Sequence, residues 1–151
     1  VLTSFCGTQD NSDVTQAWTA AQIENGADII FTMLNGARHG AIAACHDYRV
    51  YQIGNALDWC AKNPAVFVAS AIARIDTAVQ RAIADAEAGI RPTKKTIFGL
   101  NDGNAVELAI SDRISRDIHD KVSAAETLLR ADEIIVPEDY EGEEYQPDID
   151  P

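Results

Sequence analysis

Basic side chains are scarce in this sequence. Twelve Lys and Arg face 24 Asp and Glu, a formal net charge of -12 and a pI near 4.4. Nucleic-acid binding rests on neutralising phosphates with Lys and Arg, so this balance argues against it. Cysteines are few and odd in number: Cys6, Cys45 and Cys60, with no C-x-x-C pair, which excludes a disulfide framework. Cys45, His46 and Asp47 adjoin. Neighbours on a helix point in different directions, so these three make a poor metal site, and no metal or cofactor is expected. Long apolar runs are also missing: the longest near-apolar stretch, Val66 to Ala73, falls far short of the ~18 residues of a membrane span. Catalytic signatures are missing too, with no G-x-S-x-G, no G-x-x-x-x-G-K-[ST] and no H-E-x-x-H. His39, His46 and His119 read as structural, no catalytic residue is assigned, and the chain reads as a non-enzyme.

What is present is an ordinary globular composition, 46% apolar and 24% charged over 151 residues, enough for one domain. The negative charge is concentrated at one end. Residues 137–151 carry seven acids, no base and three of the five prolines, leaving residues 1–136 with 17 acids against 12 bases, a net of -5. We therefore divide the chain into an α/β lobe over 1–136 and an acidic extended tail over 137–151, too poor in aliphatic residues to form a core.

Along the chain, Val1 to Phe5 is β-prone, and Ser12 or Asp13 can cap a helix with Val14, Ala17, Trp18 and Ala21 at helical spacing, ending at Asn25-Gly26. Asp28 to Leu34 reads as a second strand, Arg38 to Asp47 as an Ala-rich helix, and Arg49 to Ile53 as a third strand stopped by Gly54. Residues 54–64 read as a polar loop. Ala65 to Ala69 reads as a short strand that leads into a long helix, Ser70 to Ala88, with Ile72, Ile75, Val79, Ile83 and Ala86 on one stripe. Thr96 to Leu100 and Ala105 to Ile110 flank Asn101-Asp102-Gly103, a hairpin signal, and a last helix runs from about Ser115 to Asp132. Strands alternating with helices predict an α/β fold with a parallel, doubly wound sheet. Ligands of such sheets bind beyond the carboxyl ends of the strands. The segments placed there are Cys6 to Asn11, Asn35 to His39 and Gly54 to Trp59, rich in hydrogen-bonding groups around one aromatic plate, a rim suited to a small polar ligand. Gln9, Asn35, Gly36, Arg38, Asn55, Asp58, Trp59 and Asp102 are the candidate ligand-binding residues.

The order of several segments resembles a known family. VLTSFCGTQD precedes NGADIIFTMLNGARHGAIAAC, VYQIGNALDW, NPAVFVASAIARIDTAVQRAIADAEAG and TIFGLNDGNAVELAI. This is similar to the carboxyl-terminal half of the basic membrane protein family, bacterial ABC-transporter substrate-binding lipoproteins that include purine nucleoside receptors, over about residues 1–137. The resemblance implies one lobe, with crossover elements, of a two-lobed type I periplasmic binding protein. It also implies a location in the periplasm or on the outer face of the cell membrane, transporter membrane subunits as partners through the full-length protein, and a nucleoside-like solute.

Three positions depart from the nucleoside-binding pattern: Gln9 stands where an aromatic is usual, Ala56 where an Asp is usual, and Ala73 where a Lys is usual. The long helix Ser70 to Ala88 would help cover the partner lobe, so its stripe is expected to be exposed in this chain alone and to be covered in a longer precursor or by dimerisation. Two alternatives stand beside a solute-binding fragment: a cytoplasmic ligand-sensing regulator of the same fold, and a flavodoxin-like α/β enzyme.

Overall fold

A computed structural model describes residues 1–137 and 139–149. Glu138 and Asp150, two of the acids counted in the tail, and Pro151 lie outside the described residues. The elements, in order, are α1 (Ser12–Glu24), β1 (Ile29–Phe31), α2 (Arg38–Tyr48), β2 (Tyr51–Ala56), α3 (Trp59–Lys62), β3 (Phe67–Ala73), α4 (Ile75–Glu87), β4 (Val106–Ile110) and α5 (Arg116–Arg130). The sheet has the order β1-β2-β3-β4; the first three strands are parallel and β4 runs antiparallel beside β3. The fold is the expected α/β class with a mostly parallel sheet. Because β1, β2 and β3 step across the sheet in one direction, right-handed crossovers bring α2 and α3 to the same face.

The core is small and lies between that face and the first three helices. Ile30, Cys45, Val66 and Phe67 form its buried centre, with Ile23, Ile42, Val50, Trp59 and Cys60 packed around it. Asn11, one residue before the expected Ser12 or Asp13, caps α1: its side-chain oxygen accepts the amide hydrogens of Asp13 (3.1 Å) and Val14 (3.2 Å). Nor is the expected apolar set the most buried part of α1; Thr15 and Thr19 are. Small residues win here because α1 and α2 approach closely. A Cβ on Gly40 would stand 1.9 Å from the Ser12 carbonyl oxygen and 2.6 Å from Thr15 Oγ1, and Thr15 donates a buried hydrogen bond to the Ala37 carbonyl.

Four expectations from the sequence are corrected. Gly54 does not stop β2, which continues to Ala56; glycine is required there by a packed neighbour, not by a turn. Ser70 to Ala73 belong to β3, not to a helix, since β4 supplies their antiparallel partners and α4 starts only at Ile75. The 96–110 hairpin does not form: the Asn101-Asp102-Gly103 turn is present, but β4 pairs with β3, a seven-residue strand that offers more partners than residues 96–100 could. Finally, Val1 to Phe5 makes only an isolated bridge, Thr3 to Glu144. The acidic tail turns back along this segment. Tyr145 donates its amide to the Thr3 carbonyl (2.7 Å), Glu144 Oε1 accepts the Phe5 amide (3.0 Å), and Asn25 Nδ2 donates to the Tyr145 hydroxyl (2.7 Å).

Much apolar surface remains uncovered, as the exposed long helix was expected to show. On α4, Ile75, Val79 and Ile83 are each more than half exposed, at 69%, 51% and 54%. On the sheet face away from the core, Ile29, Phe31, Tyr51 and Leu108 are exposed as well.

Two outcomes follow from the packing. Gly40→Ala should lower the unfolding free energy by more than about 2 kcal/mol in urea titrations, because the backbone of α1 must move to admit the methyl group. Burial pushes the Cys45 thiol up to about 12, so a thiol reagent at pH 8 should leave Cys45 unmodified in the native chain and label it only on unfolding.

Candidate functional site

The carboxyl ends of β1 and β2 bring together residues far apart in sequence. Arg38 is the first residue of α2, and only 8% of its surface is exposed. Its Nη2 donates to the Leu34 carbonyl (2.7 Å) and to Asn55 Oδ1, while Nη1 donates to the Asn55 carbonyl (3.3 Å). The guanidinium lies 4.6 Å from the centre of the Trp59 ring, within cation–π range. Its Nε is buried and has no hydrogen-bond partner. Burial pulls the Arg38 pKa below its ordinary value, because the charged form loses hydration.

Trp59 is half-buried and held by three neighbours. One ring face meets Arg38, and the Phe67 ring stacks at 5.3 Å and 30°. The indole N–H donates to the Asn55 carbonyl at 3.0 Å. Gly54 makes this possible: an added Cβ would come within 2.6 Å of Trp59 Cδ1 and 2.8 Å of Ser70 Oγ. Two residues on, Ala56 has a left-handed φ of 68°, a conformation costing a non-glycine residue about 1–2 kcal/mol and typical of binding sites.

Beside this cluster opens a cleft of ≈ 360 Å3, lined by Ala56, Leu57, Asp58, Arg74, Asp76 and Glu107 together with apolar residues of β3 and β4. Arg74, at the junction of β3 and α4, grips Glu107 of β4 with two hydrogen bonds, Nε to Oε1 at 3.2 Å and Nη2 to Oε2 at 2.8 Å. That hydrogen bonding, reinforced by the opposite charge, holds the Glu107 carboxyl below its ordinary value and raises Arg74. The pair is partly exposed, so its net contribution to stability is small. Three carboxylates and one guanidinium around an apolar floor suit a small solute with several hydrogen-bonding groups. Among the described residues, no group of three or more His, Cys, Asp and Glu is placed to hold a metal ion.

The candidate residues separate into four sets. Arg38, Asn55 and Trp59 are in direct contact. Asp58 lines the cleft while its Oδ1 accepts the Ala61 amide and caps α3. Gln9, Asn35 and Gly36 border the same end through the main chain: Gln9 accepts the Ala37 amide (2.8 Å), Asn35 accepts the Arg38 amide (3.3 Å), and Gly36 lies against the Asp10 carboxylate. Asp102 stands in its own turn, where its Oδ2 accepts the Gly99 amide, and lines neither the cleft nor the Arg38 cluster. Sequence reasoning missed Arg74, Asp76 and Glu107. Arg74 and Asp76 were legible as the polar entry to a helix, but Glu107 reaches them only because Val106 pairs with Ala73.

Comparison with known proteins bears on this arrangement. The family model Bmp, ABC transporter substrate-binding protein PnrA-like, matches residues 1–140. No match was found among curated protein sequences. Among solved structures, the chain is similar to an ABC-transporter solute-binding protein from Aeropyrum pernix K1, with TM-score 0.74 and 16% identity over 91% of this chain and 48% of that one. It is also similar to a transcriptional activator of the comK gene from Bacillus halodurans (TM-score 0.69, 15% identity, 81% of this chain and 43% of that one). A third is an ABC-transporter solute-binding protein from Conexibacter woesei (TM-score 0.59, 18% identity, 84% and 43%). At these identities the likeness is one of fold, and the chain spans about half the length of the structures it matches. The match over residues 1–140 settles membership: the chain belongs to the Bmp family of PnrA-like ABC transporter substrate-binding proteins.

Proposed function

We propose that this chain is a solute-binding lobe of an ABC-importer receptor, which takes a small polar molecule into the cleft between Asp58, Arg74, Asp76 and Glu107 and performs no catalysis. Family membership supports the binding role. The cleft supports its place, because it lies at the carboxyl ends of β2 and β3, where open α/β sheets bind ligands. A nucleoside or related compound is the solute class we favour, since the carboxylates of Asp58, Asp76 and Glu107 accept hydrogen bonds from sugar hydroxyls. The receptor would act in the periplasm or on the outer face of the membrane and deliver solute to the transporter's membrane subunits. An intracellular ligand sensor is the second reading. The fold shared with the comK activator favours it, and fractionating cells for the full-length protein separates the two.

Glu107 carries the first test. Thermal-shift and calorimetric titrations with nucleosides, bases, sugars and amino acids should find a solute that stabilises the chain, by ~2.7 kcal/mol at 100 times its dissociation constant. Glu107→Gln should weaken that solute by about tenfold, the loss of one charge-assisted hydrogen bond; unchanged affinity would remove the cleft from the proposal. Arg74 keeps Glu107 ionised below the usual carboxylate range, so the part of the affinity that Glu107 supplies should persist as pH falls through that range. It should then drop once Glu107 takes a proton, and Glu107→Gln should lack that acid limb.

The exposed stripe of α4 supports a covering partner, either the remainder of a two-lobed receptor or a second copy of this chain. Light scattering should show the 151-residue chain self-associating and Val79→Glu reducing that association, with unfolding free energy changed by less than about 0.5 kcal/mol, as for a surface site. A monomer that binds no apolar dye would refute exposure of the stripe.

A further inference from the structure

Arg38 is a buried cation. Among the described residues no carboxylate lies within ion-pair distance of its guanidinium. The groups it meets are neutral: the Leu34 and Asn55 carbonyls, the Asn55 amide oxygen and the Trp59 ring. Among the described residues the Nε hydrogen has no acceptor. Burying an ion is costly unless it is paired, and breaking such a pair leaves the expensive half behind; Arg38 resembles that half.

The first turn of α2 contains no acidic residue and no side-chain cap, and the acid that stands near this end of the helix, Asp10, comes from another segment. Two acids at this end of the sheet make local contacts of their own. Asp58 caps α3, and Asp10 lies against Gly36. Asn55 is the least committed of the groups on the guanidinium: its side chain is half-buried, and its Nδ2 rests 3.0 Å from the Met33 sulfur, a weak acceptor. Rotation of the Asn55 amide away from Nη2 would free a donor on the charged group without disturbing the main chain.

We propose that Arg38 is an oxyanion site: the solute carries a carboxylate or phosphate group that replaces the Asn55 amide oxygen on the guanidinium. The proposal rests on the reading of this end of the sheet as the solute site, and within the nucleoside-related class it selects compounds that carry an anionic group in place of the neutral nucleoside. It makes Arg38 the residue that separates charged solutes from neutral ones of the same shape. Arg, not Lys, suits the position, because its planar group can keep the Leu34 and Asn55 carbonyls while it accepts the anion.

The test uses the whole chain with simple probes. Melting is followed in phosphate and in acetate, each against chloride at equal ionic strength, for the parent chain and for Arg38→Met, Arg38→Lys and Asn55→Asp. In the parent chain the melting temperature should rise with phosphate, acetate or both and saturate. Arg38→Met should abolish the rise, and Arg38→Lys should keep a reduced one. Asn55→Asp places a carboxylate on the guanidinium internally. It should raise the melting temperature in chloride and weaken the apparent oxyanion affinity by about tenfold or more.

No saturable rise in the parent chain, or one that persists in Arg38→Met, overturns the proposal. So does an Asn55→Asp variant less stable than the parent at pH 7, because the guanidinium then needs no counter-charge. Stabilisation by Asn55→Asp without any oxyanion response also counts against a solute, and points to a carboxylate from another polypeptide. A neutral solute that binds equally to the parent and to Arg38→Met sinks this inference and leaves the receptor reading intact.

Discussion

Gly54 has no side chain, and the carboxyl end of the sheet is organised around that vacancy. With a Cβ at this position Trp59 could not lie against β2, and Ser70 Oγ would be crowded as well. With hydrogen there, the indole settles against Phe67 and Arg38 and donates to the Asn55 carbonyl. That contact holds the guanidinium above the ring, and with it the loops that follow β1 and β2. An aromatic plate able to stack on a ligand was a natural reading of Trp59. In the folded chain the half-buried ring already packs against Arg38 and Phe67, so its part is to position Arg38 and close the core.

The two ends of the chain differ in how completely they are packed. Up to β3, small residues allow close approach: Thr15 and Thr19 against Gly40, Ala41 and Ala44 leave little exposed surface between α1 and α2. From α4 onward the helices are amphipathic, and none of their residues is buried. Fifteen residues of α5 and thirteen of α4 therefore draw little support from a core. A helix that buries no apolar face is only marginally stable in water, so a covering surface would stabilise α4 as well as hide it.

Much of this was legible in the residues. Asn25-Gly26 ends α1 as expected, with Gly26 at a φ of 93°, and α5 closely matches the helix read from Ile118, Val122, Ala125 and Leu129. Local signals decide such boundaries, because caps and helical spacing act within a few residues. The hairpin around Asn101-Asp102-Gly103 shows the limit of that logic. The turn formed, as its residues dictate, but the strand after it chose β3, since pairing is won by the best available edge and not by the nearest segment. The misplaced start of α4 has the same origin: Ser70 to Ala73 is compatible with helix or strand, and β4 decided for strand.

The sequence by itself determined the α/β class, the family, the acidic tail and the gathering of Arg38, Asn55 and Asp58 at one end of the sheet. These follow from alternating elements, composition and the rule that ligands sit beyond parallel strand ends. Tertiary structure alone decided that Arg38 is buried without a counter-ion among the described residues, that Trp59 packs against Arg38 and Phe67, and that Glu107 joins Arg74 across the cleft. Burial and pairing depend on which segments meet in space, and nothing in the local pattern around residues 38, 59 or 107 specifies those meetings.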